Sequence, residues 1–206
     1  MIAVIDYGMG NVRSIINALR YIGTDAVVTS DVQCINDASH LILPGVGAFG
    51  DAMENIIKGG LDRILEDQVL KKGKPFLGIC LGLQLLAESS EEHGYHEGLG
   101  HFDAKVIRFK FSDVKLNIPH MGWNDIYPQR DHFLFKGLKS DQFTFYFVHS
   151  FHIVCNEPKD ILATCDYGIS FTAAVARDNI VATQFHPEKS QDNGIQILRN
   201  FVNWNP

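Results

Sequence analysis

No apolar stretch in the 206-residue chain approaches the length of a bilayer-spanning helix, no Cys-X-X-Cys pair occurs, and there is no long lysine or arginine run. Each absence removes a class. A transmembrane helix needs about 20 consecutive apolar residues, so no membrane association is expected. The four cysteines, Cys34, Cys80, Cys155 and Cys165, are widely scattered. Neither a structural zinc nor a redox dithiol is indicated, no metal or other cofactor is expected, and the thiols should be reduced. A formal net charge of -6 without a long basic run gives nucleic acid no electrostatic footprint. The opening segment has no basic flank and ends in an acid, so it reads as a first strand and not as a signal peptide, which points to the cytoplasm.

What is present is the composition of a globular protein, 46% hydrophobic and 20% charged, long enough for a sizeable core in a single domain, residues 1–206. In the first half, short apolar runs alternate with helical patterns, the signature of a parallel sheet covered on both faces. Residues 2–6 predict a strand. Val12, Ile15, Ile16, Leu19 and Ile22 recur at three- and four-residue steps and predict an amphipathic helix, with further strands at 26–29, 40–43 and 76–79. Between the last two, Met53, Ile56, Ile57, Leu61, Ile64, Leu65 and Val69 carry helical spacing broken at Gly59-Gly60, and a further helix is expected over 81–86. From Gly98 onward the segments 104–109, 124–127, 143–154, 161–165 and 173–176 predict strands, some in antiparallel hairpins, and 193–204 a closing helix. The fold class is therefore α/β: a mostly parallel central sheet flanked by helices, with an added β-rich antiparallel portion and a site at the C-terminal ends of the strands.

Gly78-Ile79-Cys80-Leu81-Gly82 follows an apolar run and precedes the helical Leu81-Gly82-Leu83-Gln84. It reads as a nucleophile elbow, with small neighbours on both sides of a strained residue and cysteine in the place of serine. The positive end of the following helix favours a thiolate there. The structural alternative is a cysteine packed as a small hydrophobe. A base is available where the run 180–185 delivers His186-Pro187-Glu188, because residues two apart in extended chain share a side and Glu188 can orient the His186 ring. Taken singly, these are a loop histidine and a first-turn acid; together with the elbow they form a nucleophile, a base and an orienting group. His149 and His152 read as structural or supporting groups on a strand, and His93, His96 and His101 as a solvated loop.

Gly45-Val46-Gly47-Ala48-Phe49-Gly50 matches the dinucleotide-binding glycine pattern letter by letter. Pro44 intervenes, however, and the place for a ribose-binding acid falls in the helical stretch around Glu66 and Asp67. The better use of the turn is to offer backbone N–H groups, with that of Leu81, to an oxyanion. A plain tight turn is the structural alternative.

With Gly78-Ile79-Cys80-Leu81-Gly82-Leu83-Gln84 and Phe185-His186-Pro187-Glu188-Lys189-Ser190 both in view, the chain resembles the class I, or triad, glutamine amidotransferases along its whole length. Three further regions narrow the likeness to a subunit that feeds a separate enzyme: Asp6-Tyr7-Gly8-Met9-Gly10-Asn11; Pro44-Gly45-Val46-Gly47-Ala48-Phe49; and Pro119-His120-Met121-Gly122-Trp123-Asn124 with Tyr146-Phe147-Val148-His149-Ser150. The resemblance implies that Cys80 attacks the glutamine carboxamide, that His186 moves protons and that Glu188 holds the imidazole. It implies an oxyanion hole at Gly45, Val46, Gly47 and Leu81, and glutamine contacts at Gln84, Glu92, Ser150 and Phe151. Phe151 departs from relatives that often carry tyrosine. A (β/α)8-barrel cyclase is the implied partner, met by Asn11, Met121, Trp123, Tyr146 and Lys189 and supplied with ammonia through a tunnel. A glutaminase of the same kind serving sugar amidation, a cysteine hydrolase acting alone and a non-catalytic nucleotide-binding module are the other readings.

Overall fold

Ile2-Ala3-Val4-Ile5 is apolar at every position, a pattern that suits a strand covered on both faces. The computed structural model, which describes residues 1–111, 116–138 and 143–206, buries all four. The first half runs β1 (Ile2–Ile5), α1 (Val12–Tyr21), β2 (Ala26–Thr29), α2 (Val32–Asp37), β3 (His40–Leu43), α3 (Phe49–Lys58), α4 (Leu61–Leu65), β4 (Phe76–Ile79) and α5 (Leu81–Gln84). The break at Gly59-Gly60 falls between α3 and α4 as expected, Gly60 taking a left-handed φ of 66°. A π-helical turn, Glu66–Lys71, continues α4. The periodicity gives no sign of α2, since only Ile35 of its six residues is buried. Its local signal is the cap, where the Asp31 carboxylate accepts the Cys34 N–H at 2.9 Å.

The second half is β5 (Ala87–Ser90), β6 (His96–Glu97), β7 (Phe102–Arg108), β8 (His120–Pro128), β9 (Thr144–His149), β10 (Phe151–Cys155), β11 (Ile161–Asp166), β12 (Ser170–Arg177), β13 (Ile180–Thr183) and α6 (Gln191–Val202). One nine-stranded sheet has the order β2-β1-β3-β4-β13-β12-β11-β8-β9, parallel from β2 to β13 and antiparallel from there to the edge. A four-stranded sheet, β10-β7-β5-β6, lies apart. Two expectations change. The helix after Cys80 ends at Gln84 instead of Leu86, because the chain turns into β5. The single strand expected over 143–154 breaks at Ser150, its halves pairing in different sheets.

Each face of the large sheet has its own core. On one, Ile15 and Leu19 of α1 and Leu198 and Phe201 of α6 pack together with Phe145, Phe147 and Phe185. On the other, Phe49 and Ile56 of α3 pack with Leu65, Phe102, Val106 and Ile153, which seats the small sheet beside α5. The C-terminal ends of β3, β4 and β13 are thereby overhung by β9 and by the β9–β10 break.

Candidate active site

At Cys80 the backbone has φ 55° and ψ −107°, a region that non-glycine residues occupy only under strain of order 1–3 kcal/mol. Its N–H is tied to the Thr183 carbonyl at 2.7 Å, so the residue is pinned across β4 and β13. The flanking glycines are required by contact. A Cβ on Gly82 would lie 2.0 Å from the Leu43 carbonyl oxygen, and one on Gly78 2.7 Å from that of Gly82. The sulfur, on a residue only 6% exposed, is 3.9 Å from the Val148 carbonyl and accepts from Gln184 Nε2 at 3.7 Å.

His186 leaves β13 and is fixed at both backbone polar atoms: its N–H donates to the Tyr146 carbonyl at 2.9 Å and its carbonyl accepts the Ser190 hydroxyl at 2.6 Å. Ser190 Oγ also accepts the Tyr146 N–H at 3.0 Å, riveting this turn to β9. His186 Nδ1 is 2.8 Å from Glu188 Oε1, with both side chains almost wholly buried. A carboxylate only accepts, so Nδ1 carries the proton and Nε2 is free to exchange one. Nε2 has no hydrogen-bond partner among the described residues. Burial opposes charge on this ring, but the Cys80 sulfur and the Glu188 carboxylate outweigh it and raise the pKa to about 10.

Cys80 and His186 open on a cavity of about 360 Å³, also lined by Val46, Gly47, Leu81, Gln84, Glu92, His149, Ser150 and Phe151. Gln84 Nε2 donates both to the Phe151 carbonyl (2.9 Å) and to Gln184 Oε1 (3.0 Å). Glu92 Oε2 accepts the Phe49 N–H at 2.7 Å, placing a carboxylate at the start of α3. An anion there leaves no place for a dinucleotide pyrophosphate, which removes the physical basis of the glycine-pattern reading. Gly47 has φ 104°, and a Cβ on Gly45 would meet Leu81 Cβ at 2.6 Å, so Gly45 forms the base of the turn against the elbow and does not line the cavity. A wider groove near Arg130 and Arg177 holds no comparable chemistry: Arg177 is paired with buried Asp160, and Arg130 donates to the carbonyls of Lys159, Ile161 and Ala176.

The glutamine amidotransferase class-I family model matches residues 3–204. The chain belongs to the class-I glutamine amidotransferases. Among its curated relatives, imidazole glycerol phosphate synthase subunit HisH 2 of Nitrobacter winogradskyi is 53% identical, with 100% of this chain and 99% of that one covered. Subunit HisH of Sulfurimonas denitrificans is 49% identical over 99% and 98%, and subunit HisH 2 of Pseudomonas aeruginosa 48% over 98% of each. The crystal structure of a Thermoplasma acidophilum protein superposes with a TM-score of 0.72 at 26% identity, covering 98% of this chain and 91% of that one. The glutamine amidotransferase fold thus agrees with the α/β class expected from the sequence.

Of the residues that the resemblance led us to expect at a partner interface, Met121 (62% exposed) and Trp123 (48%) stand out on β8, Trp123 being exposed and not a core tryptophan. Trp123 pairs in register with Tyr146 across β8 and β9, their rings 6.0 Å apart, and Lys189 Nζ lies 5.7 Å from the Tyr146 ring centre. Asn11, at the α1 N-cap, makes no side-chain cap bond. His101, expected in a solvated loop, is buried directly before β7. Sequence reasoning missed Gln184 and Ser190. Gln184 is a fully buried polar residue within an apolar run, which is itself a signal; Ser190 gives none until β9 is in place.

Proposed function

We propose that the protein is the glutaminase subunit of an imidazole glycerol phosphate synthase, releasing ammonia from glutamine for a cyclase subunit in histidine biosynthesis. The carrying observation is that Cys80 and His186, whose ring is paired with Glu188, border one cavity, in a chain matched by the family along almost its whole length. Cys80 attacks the side-chain carboxamide carbon as a thiolate. The backbone of Val46 and Gly47, on the turn based at Gly45, and the Leu81 N–H carry the oxyanion, and His186 gives its proton to the nitrogen as the C–N bond breaks. Water, deprotonated by His186, then cleaves the thioester to glutamate. Glu188 keeps the ring oriented throughout.

The amino-acid end of glutamine lies against Gln84, Glu92 and the Ser150–Phe151 backbone, with the charge of Glu92 offered to the substrate ammonium. Asn11, Met121, Trp123, Tyr146 and Lys189 meet a (β/α)8-barrel partner, and residues 1–206 act as one cytoplasmic domain. The glutaminase residues do not determine the ammonia acceptor, which belongs to the partner, so the alternative client is a sugar amidated in surface-polysaccharide assembly. The test is glutamate release from glutamine by the chain alone and by its complex with the liganded cyclase. Stimulation by the liganded cyclase supports the histidine-pathway reading; equal, robust activity without any partner contradicts it and favours a free-standing hydrolase.

A further inference from the structure

Two imidazoles that the chemistry above does not use adjoin the cavity, His149 in its wall and His120 behind it. The Phe151 carbonyl accepts from His149 Nδ1 at 2.8 Å as well as from Gln84. Because a carbonyl cannot donate, His149 Nδ1 carries the proton and its Nε2 is an acceptor. His120 Nδ1 lies 3.0 Å from that Nε2 and must therefore donate, which leaves His120 Nε2 as an acceptor for Asn124 Nδ2 at 3.2 Å. The second hydrogen of Asn124 Nδ2 goes to the Asp166 carbonyl at 2.9 Å, and its Oδ1 accepts the Asp125 N–H, so the amide cannot be turned over. One assignment satisfies every link, and it runs one way, from Asn124 through His120 and His149 to Phe151. Both rings are buried, and His120 is stacked between Phe147 and Tyr167 at centroid distances of 4.9 and 4.0 Å.

We propose that His120 and His149 are positioning residues that hold the Phe151–His152 peptide through the Phe151 carbonyl, and so fix the Phe151 backbone in the orientation that receives the amino-acid end of glutamine. The inference rests on the assignment of glutamine to this cavity. Adding a proton to either ring would set two N–H groups against each other, and burial, which lowers His120 to about 4 and His149 to about 3, keeps both neutral at ordinary pH. The chain of hydrogen bonds starts on the strand that exposes Met121 and Trp123 and ends at the cavity, so it also ties the orientation of this peptide to the β8–β9 hairpin.

The first measurement is imidazole nitrogen NMR on the full chain: His120 and His149 should both be the Nδ1–H tautomer at neutral pH. The second compares His120→Phe, which keeps the stack but removes the donor, with His120→Gln, whose amide can donate to His149 and accept from Asn124. In the complex with the cyclase, His120→Phe should raise KM for glutamine about tenfold, the scale of one buried hydrogen bond, with a smaller change in kcat and a shift of the His149 Nε2 resonance as that nitrogen loses its donor. His120→Gln should restore both. An Nε2–H tautomer in the wild-type protein, an unchanged KM in His120→Phe, or equal impairment in the two variants overturns the proposal. A wild-type complex that releases no glutamate from glutamine brings down the substrate assignment and this role with it, an outcome separable by whether the tautomers are as expected.

Discussion

At Cys80 two separate demands coincide, a strained backbone that presents sulfur to the cavity at the end of a strand and a neighbouring imidazole whose charge that sulfur supports. The raised pKa of His186 makes the imidazolium its resting form at neutral pH. Its sign also fixes a stability contribution, fully present below the unfolded value near 6.5 and lost as pH rises through about 10. Removing the sulfur should therefore lower the His186 pKa: in Cys80→Ala, NMR titration of the His186 ring should find its midpoint below that of the wild-type protein. An unmoved midpoint would mean that the two side chains do not interact. At this scale the sequence was most readable where residues sit in short motifs, as Cys80, His186 and Glu188 do. It was least readable for His120, His149 and Ser190, whose partners are 29, 2 and 44 residues away and arrive only through strand pairing or a carbonyl that no motif names.

Among the elements, the strongest constraint is close approach. α6 begins beside the Pro187–Lys189 turn, and a Cβ on Gly194 would lie 1.8 Å from the Pro187 carbonyl oxygen. Helix propensity alone favours alanine over glycine by about 1 kcal/mol, whereas forcing a methyl into an occupied contact costs about 1–3 kcal/mol or more. The contact should win. Gly194→Ala is expected to lower the thermal midpoint and, by displacing the turn that carries Glu188, to reduce glutamine turnover; a raised midpoint with full activity would show that the contact relaxes freely. Strand and helix positions in the first half were legible because both sheet faces are buried and the two periodicities differ clearly. α2 and β5 were hidden for the opposite reason, being short and scarcely patterned. The 143–154 segment looked continuous because nothing in its composition marks Ser150 as the place where pairing changes sheets, although that break creates the substrate-facing backbone.

For the molecule as a whole, the imidazoles that burial keeps neutral oppose His186 and govern the response to acid. Burial holds His101 and His120 down to about 4 and His149 to about 3, while the unfolded chain takes up protons near 6.5. Their contribution is therefore intact above about 6.5 and lost progressively as pH falls toward 4. Denaturant midpoints measured at about pH 7.5 and about pH 5, on either side of that unfolded value, should drop at the lower one, and a flat profile would contradict neutral burial of these rings. The α/β class and the place of the site at the strand ends were legible from the alternation of patterns; the two-sheet arrangement was not, because it depends on which distant strands pair. The central claim is that Cys80 makes ammonia for a partner and takes no part in what the partner does with it. Turnover of the complex carrying Cys80→Ala, supplied in turn with glutamine and with an ammonium salt, tests this most directly: glutamine-driven turnover should vanish while ammonium-driven turnover stays at the wild-type level, and equal loss of both in a folded complex would contradict it.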